Sequence, residues 1–157
     1  MRTIKYALLC CSLVAPAMAY AQAAHPDFSG SYALDVAASE QSPLVPQKMT
    51  YVVTQTGTSM QVERAMVNAA GETTAKIRYT TDGKPSQNEY NTGPGMMHVT
   101  TIVTWEGASP VFTNDTDTGI HQVDKWTLLE GGKKLQIART IKVGENGASA
   151  TMVLVRQ

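Results

Sequence analysis

The stretch "KKLQIARTIKV" (residues 133–143) alternates almost without a break. Leu135, Ile137, Ile141 and Val143 share one parity, and Lys134, Gln136, Thr140 and Lys142 share the other. Side chains of a β-strand point to opposite faces with period two, so the pattern predicts a strand with one buried face. Arg139 stands on the apolar parity, where an aliphatic residue is expected. A guanidinium keeps its charge in any protein setting. Desolvating it therefore requires a carboxylate, carbonyl groups, water or a bound anion as partner.

The same period recurs along the rest of the chain. Short alternating runs occupy residues 28–34, 49–55, 60–67, 73–81, 96–106, 111–114, 120–129 and 149–156, with a weaker one at 86–90. Turn chemistry separates them: Thr56 to Ser59, Asn68 to Gly71, Asp82-Gly83, "NTGPG" (91–95), Asp115 to Gly119 and Gly144 to Gly147. Gly131-Gly132 reads as a two-residue hairpin turn. The one helical feature is a single turn within "DVAASEQS" (35–42), capped by Asp35 and stopped by Pro43. No helix is long enough for a parallel crossover, so nine or ten strands must form an antiparallel meander. Closing on itself removes the exposed edges of such a meander. The expectation is all-β, a single antiparallel up-and-down β-barrel, with a two-sheet β-sandwich as the alternative. No repeat or linker divides the chain.

The beginning, "MRTIKYALLCCSLVAPAMAYAQA", has the form of a secretory signal: Arg2 and Lys5, a short apolar run, then small residues at Ala17-Met18-Ala19, with Ala19-Tyr20-Ala21 and Ala21-Gln22-Ala23 as rival cleavage sites. Residues 1–21 are expected to be a signal peptide and 22–157 the barrel domain, secreted or periplasmic. The apolar run is too short to span a bilayer, so no stable membrane insertion is expected. Both cysteines, Cys10 and Cys11, lie inside the signal, which leaves the domain without a disulfide or thiol nucleophile. Charges balance at 13 basic against 13 acidic residues, and no basic stripe invites nucleic acid.

"FSGSY" (28–32) resembles the Gly-x-Trp corner that opens the first strand of lipocalins and other calycin barrels, with Gly30 and Tyr32 in the Gly-x-aromatic form. "WTLLEGGKKLQIARTI" (126–141) is similar to the late hairpin of small secreted bacterial lipocalin-like proteins. The resemblance implies a calycin/lipocalin-like barrel that binds a small apolar ligand inside. It also implies an arginine late in the chain capping the corner, a place open to Arg139 or Arg156.

Arg64 lies among Met60, Val62 and Met66 as Arg139 does among its neighbours, and both are candidate anchors for a ligand's carboxylate. Two other readings stand beside this one: the arginines snorkel at a barrel rim, or they pair with an acid. Glu63 and Asp124 both read as outward-facing. Tyr51, Tyr79 and Trp105 share parities with aliphatic residues and complete the candidate ligand-binding set. The methionines suit an irregular core or an adaptable cavity.

No two histidines have ligand spacing, "NDTDTG" (114–119) lacks the glycine and terminal acid of a calcium loop, and no nucleophile elbow is present. No metal site, cofactor or catalytic residue is assigned. The expected function is binding of a small hydrophobic or amphipathic molecule, with a carboxylate as its candidate polar group, in the barrel. The alternatives are an enzyme on the same scaffold, using an interior tyrosine or histidine, and a structural envelope protein with a filled core.

Overall fold

A computed structural model describes residues 25–69, 71–91 and 95–157. The expected signal and both cysteines lie outside the described residues. Ten strands follow in order: β1 (Gly30–Leu34), β2 (Lys48–Thr56), β3 (Ser59–Asn68), β4 (Gly71–Thr80), β5 (Pro85–Asn91), β6 (Met96–Glu106), β7 (Ser109–Thr116), β8 (Ile120–Leu129), β9 (Lys134–Val143) and β10 (Asn146–Arg156). Consecutive strands pair antiparallel except β4 with β5, and β1 also pairs with β10. The result is one curled ten-stranded sheet, a nearly closed up-and-down barrel, and not a two-sheet sandwich.

The seam between β4 and β5 lacks a backbone ladder and is sealed by β5 side chains. The Asn88 carboxamide acts as a substitute peptide group: its Oδ1 accepts from the Arg78 N–H at 2.9 Å, and its Nδ2 donates to the Arg78 carbonyl at 2.9 Å. Ser86 Oγ accepts from the Thr80 N–H at 2.9 Å. Edge groups that would otherwise be unpaired are thus satisfied.

Burial follows the expected parity. Met49, Tyr51 and Val53 of β2, Met60 and Val62 of β3, Ile77 and Tyr79 of β4, Leu135 and Ile137 of β9, and Met152 and Leu154 of β10 are all buried. Val143 departs from it: at the end of β9 it stands exposed on the rim.

One end of the barrel is closed by the segment before β1. Phe28 is fully buried there, its N–H donating to Gln55 Oε1, while Gln55 Nε2 donates to the Pro26 carbonyl. His25 stacks on Trp105 with ring centroids 3.7 Å apart. Arg156, not Arg139, caps the corner: its Nη1 donates to the Ser29 carbonyl, Nη2 to the Tyr32 hydroxyl and Nε to the Gly132 carbonyl. Its guanidinium lies 5.0 Å from the Tyr32 ring centre.

The hairpin from β8 to β9 is wider than a Gly-Gly turn. A short 3-10 segment, Glu130–Gly132, precedes Lys133, and Glu130, Gly131 and Gly132 all have positive φ. The wider loop turns the carbonyls of Gly132 and Lys133 toward Arg156, whose Nε and N–H they accept. After β1 the expected turn forms, with Asp35 Oδ1 accepting from the Ala38 N–H, but it does not continue as a helix. Among the described residues no helix is long and apolar enough to cross a membrane.

Gly30 combines a φ of 147° with close approach: a Cβ there would meet Arg156 Nη1 at 2.6 Å. Gly30→Ala is therefore expected to destabilise the fold by about 1–3 kcal/mol, read as a lowered urea midpoint. An unchanged midpoint would mean that the corner yields freely.

Candidate functional site

The aromatic residues divide the barrel interior in two. Toward the closed end, Phe28, Met60, Leu135, Met152 and Leu154 are fully buried and fill the space. Toward the other end lies a cavity of about 180 Å³. Phe112 and Trp126 form its floor, with Tyr51 and Tyr79 beside them, and Met97, Ile120 and Ile141 line it nearer the rim. The floor rings pack in tilted pairs: Phe112–Trp126 at 4.6 Å, Tyr79–Phe112 at 4.9 Å and Tyr51–Trp126 at 5.5 Å between centroids. Such tilted contacts add to the stabilisation from burial alone.

Arg139 does point inward and lines the cavity. Its partner is Asp124: Nε donates to Oδ1 at 2.8 Å and Nη2 to Oδ2 at 2.7 Å, a two-pronged bond between side chains each 9 % exposed. Burial works against the guanidinium's charge, but the attraction and hydrogen bonds of Asp124, with Tyr51 contributing, outweigh it and hold the Arg139 pKa above its ordinary value. Gln122 Nε2 donates to the same carboxylate at 2.8 Å.

This corrects the outward reading of Asp124. The inward row of β8 is Ile120, Gln122, Asp124, Trp126 and Leu128, and its two polar members blur the hydrophobic alternation. The signal that could have found it is register. Asp124 falls opposite Arg139 across the hairpin, and opposed residues in an antiparallel pair share a face. Glu63 is outward as expected and pairs with Lys76 at 2.9 Å.

Arg64 also lines the cavity, from β3. It lies directly opposite Ala75 of β4, and its guanidinium reaches to 5.2 Å from the ring centre of Tyr90 on β5. Its Nε is buried without a hydrogen-bond partner, and none of the ion pairs among the described residues includes it. Trp126 Nε1 is likewise buried and unpartnered.

Tyr51 and Tyr79 are in the cavity wall as expected. Burial raises the Tyr79 pKa well above the ordinary phenol value, with Tyr90, Tyr51 and Asp124 adding to it. Burial raises Tyr90 as well, against Arg64 and a hydrogen bond from Tyr79. Both hydroxyls are thus neutral donors near neutral pH. Trp105 is separate from this group: it does not line the cavity, and its Nε1 donates to the Thr81 carbonyl at the closed end.

His25, His98 and His121 lie outside the cavity. His98 faces Glu89 at 3.2 Å and His121 faces Asp115 at 2.7 Å, all on the outer surface. Among the described residues no group of three or more His, Cys, Asp or Glu side chains is placed to hold a metal ion.

The architecture has counterparts among solved structures. Zebrafish ileal bile acid-binding protein, crystallised with cholic acid, superposes with a TM-score of 0.57 over 83 % of this chain and 98 % of its own, at 14 % identity. Fatty acid-binding protein from brain tissue of Drosophila melanogaster gives 0.51 over 82 % and 99 %, at 17 % identity. The fold is an up-and-down antiparallel barrel like theirs. No protein-family model matches the chain, and no curated protein matches it by sequence. Identities this low establish the fold alone.

Two predictions follow from the interior charges. Asp124→Leu leaves Arg139 buried and unpaired and is expected to lose about 3–5 kcal/mol. The double variant Asp124→Leu/Arg139→Met should regain most of that in urea unfolding, whereas additive losses would deny the pair its coupling. Tyr79 ionises near 10.0 when unfolded and far higher when folded. Its contribution is therefore complete below pH 10 and lost as pH rises further, because the unfolded chain releases a proton that the folded one keeps. Tyr79→Phe removes this loss, so its alkaline unfolding midpoint should lie above that of the wild type by circular dichroism.

Proposed function

We propose that the protein is a secreted or periplasmic carrier that reversibly binds a small amphipathic molecule with an anionic end, held in the barrel cavity with Arg64 as anchor. The observation that carries this reading is the cation of the cavity wall that has no carboxylate partner among the described residues. Asp124 neutralises Arg139, whereas Arg64 faces the cavity with no carboxylate among the described residues. A charge in a mostly apolar pocket is stabilised by a ligand that brings the opposite charge and covers the apolar wall.

The structural neighbours support the same reading, because one of them was crystallised with cholic acid and the other is a fatty acid-binding protein. An open cavity also speaks against the filled core of a purely structural envelope protein. The position of the histidines offers nothing to an enzymatic reading based on them. Export rests on the leader-like beginning, Arg2 and Lys5 followed by a short apolar run and small residues up to Ala21.

Native mass spectrometry of the protein recovered from its own host tests the reading. A small organic acid is expected to accompany the wild type and to be lost from Arg64→Met. Equal retention by both would remove Arg64 as the anchor. The mass of the exported chain should also lack the residues through Ala19, Ala21 or Ala23, and an intact beginning would contradict export by cleavage.

A further inference from the structure

We infer that the ligand of this cavity is a compact aromatic acid, one ring bearing a carboxylate, and that Phe112 sets the length limit that excludes long acyl chains. The inference rests on the carrier reading and names its ligand class.

Size is the first argument. An apolar cavity of roughly 150 Å³ holds benzene, and pockets for drug-sized ligands begin at about 300 Å³. At about 180 Å³ this cavity has room for a ring and a small polar group. Extension toward the closed end is blocked, since Phe112 sits between Tyr79 and Trp126 and Phe28 lies beyond Trp126.

The wall supplies the second argument. Rings gather at the floor, where Tyr51, Tyr79, Phe112 and Trp126 meet, and Phe112 meets Trp126 and Tyr79 at interplanar angles of 43° and 59°. A guest ring extends this tilted packing, with its edges against ring faces, whereas an alkyl chain of equal size gains burial alone.

An unused charge supplies the third. Arg64 on β3 lines the cavity and has no acid partner among the described residues. An acceptor-only, singly charged group answers it, and a carboxylate has two oxygens to offer. With Arg139 and Asp124 mutually neutral, one negative charge balances the cavity.

Calorimetric titration of the full 157-residue chain with four probes provides the test. The probes are 3-phenylpropanoate, its uncharged amide, octanoate and palmitate. The first should bind about tenfold tighter than octanoate, which has the same charge and similar bulk. It should also bind about tenfold or more tighter than the amide, and palmitate should not bind. Octanoate equal or tighter, or palmitate bound, would overturn the aromatic inference while leaving an Arg64-anchored carrier intact. Amide and acid bound equally would overturn the carboxylate assignment. If none of the four binds, both the inference and the carrier reading fall. Phe112→Ala should shift preference toward octanoate and palmitate, and Phe112→Leu should do so less strongly if the alanine variant does not fold. An unchanged preference in a folded variant would remove Phe112 as the limit.

Discussion

Pairing β1 with β10 is the constraint on which the other features rest, because it joins the two ends of the meander and makes the sheet a tube. Once the tube exists, every strand has a defined inside, and the period-two alternation acquires a direction. The remaining discontinuity falls between β4 and β5, which are neighbours in sequence but lack a ladder. A barrel needs all its edge groups satisfied. Asn88 and Ser86 do this with side chains for the edge groups of Arg78 and Thr80, which joins β5 to β4 without a backbone ladder there. The ends of the chain are locked by Arg156, which ties the corner at Ser29 and Tyr32 to the last hairpin.

Inside the tube, charge is organised by strand pairing. Asp124 and Arg139 are directly opposed on β8 and β9, so their bond is built into the register of one hairpin. A buried pair of this kind contributes little net stability compared with apolar residues, yet either partner alone is strongly unfavourable. Its consequence for function is subtractive. With Arg139 neutralised, Arg64, on the other side of the cavity, is the cation without an acid partner among the described residues. Arg64 reaches across Ala75 toward Tyr90, so the same side chain also borders the β4–β5 seam.

The aromatic floor separates a filled half from an open half. Phe112, Trp126, Tyr51 and Tyr79 bury large apolar areas and stabilise the barrel, and the same rings set the depth of the cavity. Stability and cavity depth are therefore coupled in this protein. Methionines serve both regions: Met49, Met60 and Met152 are packed in the core, while Met97 lines the cavity.

The strands, their antiparallel order and the inward faces of β2, β3, β4, β6 and β9 were legible in the residues, because a half-buried strand must alternate. The inward placement of Arg139, Arg64, Tyr51 and Tyr79 was legible for the same reason. Trp105 shows the limit of parity: it was rightly placed inside, but parity carries no information about height along the barrel, and Trp105 lies at the closed end away from the cavity. Asp124 shows the complementary limit, since a strand whose inner row contains Gln122 and Asp124 no longer alternates in hydrophobicity. Which of the two late arginines caps the corner was decided by the meeting of the chain's two ends, a contact between residues 127 positions apart. By itself the sequence determined an all-β chain of antiparallel strands with Arg64 and Arg139 on apolar parities, since period and turn chemistry are local, and it left both a sandwich and rim-lying arginines open. Only the tertiary structure decided which arginine is paired with an acid, which faces the cavity without one among the described residues and how large that cavity is, because partners and volume arise where distant strands face one another.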